Sequence, residues 1–198
     1  VAVGHSAGLA LTSGAQNTII GGLAGDALTT GVRNVAVGYN ALSTEDTTGN
    51  AVAIGYQALL SQNASSDSYN VAVGFKAGEA VTTGVKNTLI GGLAGDALTT
   101  GQRNVAIGYN ALTTEDNHGK NVAVGHESLR LLNAGADGNN VAIGYDSGKA
   151  MTTGLYNTLI GSQAGDALTT GGKNIAIGYN ALSSEDGHGN NVAIGHSA

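Results

Sequence analysis

The chain has 198 residues, 33 of them glycine, with no proline, cysteine or tryptophan and one phenylalanine. So little aromatic bulk excludes a thick globular core, and the lack of cysteine excludes disulfides and thiolate metal sites. A formal charge of −6 and sparse charges argue against a nucleic-acid surface, and no apolar run approaches the ~20 residues of a membrane span.

From the first residues one motif recurs. Val1-Ala2-Val3-Gly4 is followed by Asn17-Thr18-Ile19-Ile20-Gly21, Asn34-Val35-Ala36-Val37-Gly38 and Ala51-Val52-Ala53-Ile54-Gly55. The closing glycines continue at Gly74, Gly91, Gly108, Gly125, Gly144, Gly161, Gly178 and Gly195. Their spacings run 17, 17, 17, 19, repeat once, and end 17, 17, 17. Twelve coils are thus nested in a seventy-residue super-repeat of four coil types, with units at about 1–69, 70–139 and 140–198. Coil positions are counted below from the Asn, so these glycines hold position five. The whole span 1–198 reads as one solenoid domain. Its coils stay regular to both ends with no capping repeat, so the sequence predicts a segment of a longer rod.

Each motif is strand-length, and alternation places Val35 and Val37 on one face, Ala36 and Gly38 on the other. A second strand is expected near Ala27-Leu28-Thr29-Thr30, with turn formers between the two. Two strands and two turns in seventeen residues leave no room for a βαβ crossover. They suit a flattened coil stacked on the next at ~4.8 Å, so twelve coils give a rod of roughly 55–60 Å. The fold class is therefore all-β, a parallel β-solenoid or β-roll. The larger Val35, Val37 and Leu28 are expected inside. The small Ala36 and Gly38 are expected to form an outer column that packs on an identical column of another chain.

Two columns support the register. Asn34, Asn70, Asn104, Asn140 and Asn174, with their equivalents, hold position one, where stacked amides form a structural ladder; Ala51 is the exception. Position eight is always Ala or Ser, from Ala7 to Ala198.

With these residues in place, the motif resembles the head repeats of YadA-type trimeric autotransporter adhesins and similar β-roll repeats of phage tail fibres. Asn174-Ile175-Ala176-Ile177-Gly178-Tyr179-Asn180-Ala181-Leu182 is similar to the N-T-A-I-G-Y-x-A-L run of those fibres, and Thr29-Thr30-Gly31 with Asn34 to their T-T-G-x-x-N run. The resemblance implies a left-handed roll, a homotrimer, an extracellular location on a cell surface, secreted filament or virion tail, and binding of host-surface glycans or proteins through exposed loops.

Several constellations invite chemistry. Glu45-Asp46, Glu115-Asp116 and Glu185-Asp186 recur every seventy residues and are candidates for calcium, although the nonapeptide of calcium β-rolls is missing; the plainer reading is a solvated turn. His118 and His188 share those turns, and nothing else supports a metal on a three-fold axis. Position seventeen is often basic, as in Arg33, Lys86, Arg103, Lys120 and Lys173, which reads either as a receptor-facing pattern or as solubilising charge. His5, His126 and His196 share position six with Tyr39, Tyr56, Phe75, Tyr109, Tyr145 and Tyr179, an aromatic row. The Thr-Thr pairs suggest an ice-binding face, but two of the four coil types interrupt it. No phosphate loop occurs, and His5-Ser6 and His196-Ser197 are coil variants, so no catalytic centre, cofactor or bound metal is expected. The expected function is a structural or adhesive fibre segment, not an enzyme. The alternatives are a purely structural filament and, more distantly, an ice- or glycan-binding solenoid.

Overall fold

The computed structural model describes every residue from Val1 to Ala198 and contains no helix. Each coil gives one short strand. In chain order these are β1 (Ala2–Val3), β2 (Thr18–Ile20), β3 (Val35–Val37), β4 (Val52–Ile54), β5 (Val71–Val73), β6 (Thr88–Ile90), β7 (Val105–Ile107), β8 (Val122–Val124), β9 (Val141–Ile143), β10 (Thr158–Ile160), β11 (Ile175–Ile177) and β12 (Val192–Ile194). All twelve lie in one parallel sheet in sequence order. Like positions pair: Val35 with Val52, Ala36 with Ala53, Val37 with Ile54. The chain is an all-β parallel solenoid.

The expected second strand is absent. Near Thr29 the N–H groups of Thr29 and Thr30 both donate to the Asp46 carbonyl, at 2.7 and 3.3 Å, which is a bend and not a ladder. Even so, only 21 of 121 backbone hydrogen bonds lie within the strands, so the rod is stitched rung to rung all around each coil. The corners require unusual backbone. Position seven is left-handed in every coil, from Ser6 (φ 56°) to Ser197 (φ 54°). Its N–H bonds back to the preceding coil, as in Asn40 to Gly22, while Gly25 N–H bonds forward to Ala41. At position five the constraint is absolute. Gly38 has φ 134°, and a Cβ there would meet the carbonyl oxygen of Gly55 in the next coil. The same collision awaits at every other rung down to Gly178, which is why no other residue occupies that column.

The two faces of the strand are the reverse of the sequence expectation. Ala36, Ala53, Ala72, Ala106, Ala123, Ala142 and Ala176 are fully buried, whereas Val35 and Val37 are only half-buried and face outward. The interior of a seventeen-residue coil is too narrow for two β-branched side chains from one strand. It accepts one side chain from the strand, at position three, which is alanine in most coils and Ile19, Leu89 or Leu159 in one coil type, and takes further bulk from the opposite wall. There the filling alternates. Leu28, Leu98 and Leu168 at position twelve accompany Gly25, Gly95 and Gly165 at position nine, while Leu42 and Leu112 at position nine accompany Glu45 and Glu115 at position twelve. A Cβ on Gly25 would lie 2.9 Å from Leu28 Cδ1, so in the seventeen-residue coils the bulky apolar side chain comes from one position or the other, while the nineteen-residue coil at 121–139 holds both Leu129 and Leu132. The position-eight residues Ala24, Ala41, Ala58, Ala77, Ala94 and Ala111 lie in the same core.

Candidate functional site

The ladder column lies inside. Asn34, Asn70, Asn104, Asn140 and Asn174 are completely buried. Their bonds run mainly from amide to backbone. Asn34 Oδ1 accepts the Ala51 N–H at 2.9 Å, and Asn34 Nδ2 donates to the Thr48 carbonyl at 3.0 Å. Asn104 repeats this, with Oδ1 accepting Asn121 N–H at 3.0 Å and Nδ2 donating to His118 O at 3.1 Å. Each side chain thus ties a coil to its successor and closes its own turn.

The acidic turns divide their residues. Glu45 and Glu115 are fully buried, in the column that Leu28 and Leu98 occupy elsewhere, so these two glutamates are not solvated. Glu45 Oε1 accepts Thr48 N–H at 3.1 Å, and Oε2 accepts Ala64 N–H at 3.3 Å and Gln62 Nε2 at 3.2 Å. Glu115 accepts His118 N–H and Ala134 N–H, both at 3.2 Å. Burial pushes the Glu115 carboxyl above its ordinary value, against the pull of those bonds. At the last turn Glu185 is half-buried, and the N–H of His188 at 2.8 Å holds its carboxyl low. Asp46 and Asp116 are half-buried and Asp186 is exposed.

Three groups bring carboxylate and imidazole atoms within 4.8 Å: Glu115, Asp116 and His118; Glu185, Asp186 and His188; and His126, Glu127 and Asp146, which the sequence reading did not foresee. Such a set offers three ligand atoms, where calcium takes six to eight oxygens. Glu115 is already engaged by two turn N–H groups. In the third group the Lys149 ammonium lies 2.6 Å from Glu127 and 3.2 Å from Asp146, where a cation would sit. It draws the Glu127 carboxyl down, and its own value is raised in return. The first turn has Thr48 where the others have His118 and His188, and Glu45-Asp46 forms no such group.

On the outside, the aromatic row stacks. Tyr39, Tyr56 and Phe75 lie 5.7 and 5.4 Å apart, and Tyr109, His126 and Tyr145 lie 5.6 and 5.2 Å apart. Gly22, Gly92 and Ser162 interrupt it once per super-repeat. The Thr row is turned to structure: Thr29, Thr82, Thr99 and Thr152 donate their hydroxyls to carbonyls of the next coil at 2.9–3.2 Å. Asp96 and Asp166, each with a buried Oδ1 that has no hydrogen-bond partner, are pushed up by desolvation.

The broadest surface feature is the outer sheet face. Position four is Val or Ile at all twelve rungs, and position two is Val, Thr or Ile wherever a full motif is present. Ile20, Ile54, Ile90, Ile143, Ile160 and Ile177 are 36–41% exposed. Nothing in the sequence reading singled out this stripe, because larger apolar residues are the default choice for the interior. The chain matches no family model, no curated protein sequence and no solved structure. No helix is long and apolar enough to cross a membrane.

Proposed function

We propose that this solenoid is a segment of an extracellular fibre that assembles from side-by-side copies, three in the arrangement that the adhesin resemblance implies, and that mediates attachment through exposed loops and not through catalysis. The observation that carries the reading is the unbroken Val/Ile column from Val3 to Ile194. Parallel sheets are ordinarily covered on both faces. Here the inner face is covered by the coil itself, and the outer one presents a continuous β-branched stripe along the full rod, the kind of exposed apolar surface that marks an interaction site. A second copy in cyclic symmetry covers it without a free edge. This moves the contact surface from Ala36 and Gly38, which lie in the core or against the next coil, to Val35, Val37 and their equivalents. Ala106, expected to sit at a chain–chain contact, is a core residue, and a substitution there tests folding and not assembly.

Native mass spectrometry of the wild type and an Ile107→Lys, Ile143→Lys variant tests the reading. The expected result is a closed oligomer for the wild type and a monomer with an unchanged β-sheet spectrum for the variant. A wild type that stays monomeric at high micromolar concentration overturns it.

A further inference from the structure

We propose that Lys86, Arg103 and Lys120 form a binding track for an anionic glycan, a polysaccharide strand bearing sulfate or carboxylate groups. The three occupy position seventeen of consecutive coils, all left-handed (φ 64°, 59° and 63°). Their N–H groups are tied to the preceding coil, Lys86 to Ser68 O at 2.7 Å, Arg103 to Val85 O at 3.1 Å and Lys120 to Gln102 O at 3.0 Å. Their backbones are therefore held one rung apart, at about 4.8 Å, so the side chains rise from adjacent rungs, where like charges repel. Only Lys120 has a carboxylate partner, Asp137 at 2.7 Å, on an exposed edge. The side chains of Lys86 and Arg103 make no ion pair, although the chain carries a net charge of −6.

The same column elsewhere behaves differently. Gln16, Arg33, Asn50 and Tyr69 precede the three, and Asn139, Tyr156, Lys173 and Asn190 follow, so no other two cations are adjacent. Arg33 is engaged, donating from Nε to Asn50 Oδ1 at 2.8 Å with Asp67 3.7 Å away. Beside Arg103 and Lys120 lies a cleft of about 240 Å³ without an apolar side chain, completed by Thr100, Gln102, Asn117 and Asp137. Its hydroxyl and amide groups match sugar hydroxyls, the unpaired Lys86 and Arg103 match oxyanions, and Lys120 neutralises the Asp137 carboxylate at the edge of the cleft. Exposed tyrosines flank the track, Tyr69 one rung before Lys86 and Tyr156 two rungs after Lys120, each offering a ring to the apolar face of a sugar. No ring lies between the cations, where a strand of stacked bases would need one.

This deepens the adhesive reading, but its readout is independent of assembly. Retention on immobilised heparin and titration calorimetry with polygalacturonate, dextran and inorganic polyphosphate are measured for the wild-type chain, a Lys86→Gln, Arg103→Gln, Lys120→Gln variant and Arg33→Gln. Binding of at least one acidic glycan, none of dextran, a tenfold or greater loss in the triple variant and no change in Arg33→Gln are expected. The affinity should weaken as the Debye length falls below ~8 Å above physiological salt. The triple variant should melt close to the wild type, since a repulsive row and one exposed Lys120–Asp137 pair are removed together. Equal binding by the triple variant, equal loss in Arg33→Gln, no acidic-glycan binding at low salt, or tighter binding of polyphosphate than of either glycan overturns the proposal. The Ile107→Lys, Ile143→Lys variant separates the two readings: it loses assembly while each rod keeps its track.

Discussion

The nineteen-residue coil occurs complete twice, at residues 51–69 and 121–139, and the two copies keep one hydrogen-bond inventory with different side chains. In the second, Asn121 Oδ1 accepts both the N–H and the Nδ2 of Asn140, each at 3.2 Å. In the first, Ala51 has no amide, and two residues divide that role. Gln62 Oε1 takes Asn70 Nδ2 at 2.8 Å, and Ser68 Oγ takes Asn70 N–H at 3.5 Å. Gln62 also donates to the buried Glu45, where the second copy has Leu132 beneath Glu115. The counterpart of Ser68 is Gly138, and a Cβ there would collide with Asn121 Oδ1. Ala51, Gln62 and Ser68 therefore belong together, as do Asn121, Leu132 and Gly138. The acceptors offered to Asn70 and Asn140 are maintained, although Asn121 Nδ2 itself has no partner, and the residue that supplies them is exchangeable when its neighbours change with it.

The strongest way to break the comparison is to mix the sets. Gln62→Leu alone removes a donor from a buried carboxylate and an acceptor from Asn70, above the space left by Ala51. A loss of roughly 2–4 kcal/mol is expected from groups of this kind, read as a lowered urea midpoint. Adding Ala51→Asn and Ser68→Gly copies the second coil and should recover the wild-type midpoint to within about 1 kcal/mol, the signature of coupled neighbours. Additive losses in the triple variant would separate the three positions.

A smaller effect is expected at Gly138→Ser, which pushes a side chain into Asn121 and costs about 1–3 kcal/mol as overpacking. Asn121→Ala on top of it opens the space that Ser68 has in the first copy, and the double variant should melt above Gly138→Ser. A double variant that melts below both single variants would show that the loop backbone, and not the Asn121 side chain, sets the limit.

Much of this molecule was legible in the spacing of its glycines. The period fixes the rung, the rung fixes the parallel register, and Gly38 is required because its Cβ would enter the next coil. The inside and outside of the strand were not legible, since alternation assigns Val35 and Ala36 to opposite faces without saying which is the core. Hydrophobicity favoured valine inside, and only the coil's width, visible in three dimensions, reverses that. Glu45 and Glu115 misled for the opposite reason. A charged residue in a Gly-rich turn reads as solvated, and the available signal was its alignment with Leu28 and Leu98 at position twelve, opposite a leucine at position nine. The column of Lys86, Arg103 and Lys120 was legible as charge, but the absence of an ion-pair partner at Lys86 and Arg103 was not.

The smallest expected effect is a pH dependence set by the buried Glu115 carboxyl. The Glu115 carboxyl is raised above its ordinary 4.5 chiefly by burial, and next by contrary N–H bonds from Ala134 and His118 that reduce the rise. A folded-state value above the unfolded one means that the folded chain holds the proton more tightly. The site's contribution is then fully present below the unfolded value and is lost as pH rises through the folded one. The Glu115→Gln variant has no carboxyl to titrate at this position. The His118 imidazole lies 3.5 Å away, so both proteins should carry His118→Thr, which removes it and copies Thr48 of the first turn. Asp96 and Asp166 shift in the same direction, and Glu127, Asp137 and Glu185 in the other, but all five are common to the pair and cancel in the difference. The stability of the protein that keeps Glu115, relative to the Glu115→Gln variant, should therefore rise as pH is lowered from 7 towards 4, measured by urea unfolding at each pH. Parallel curves would mean that the backbone N–H groups at positions 118 and 134 fully offset burial, and a gap moving the other way would mean that they outweigh it.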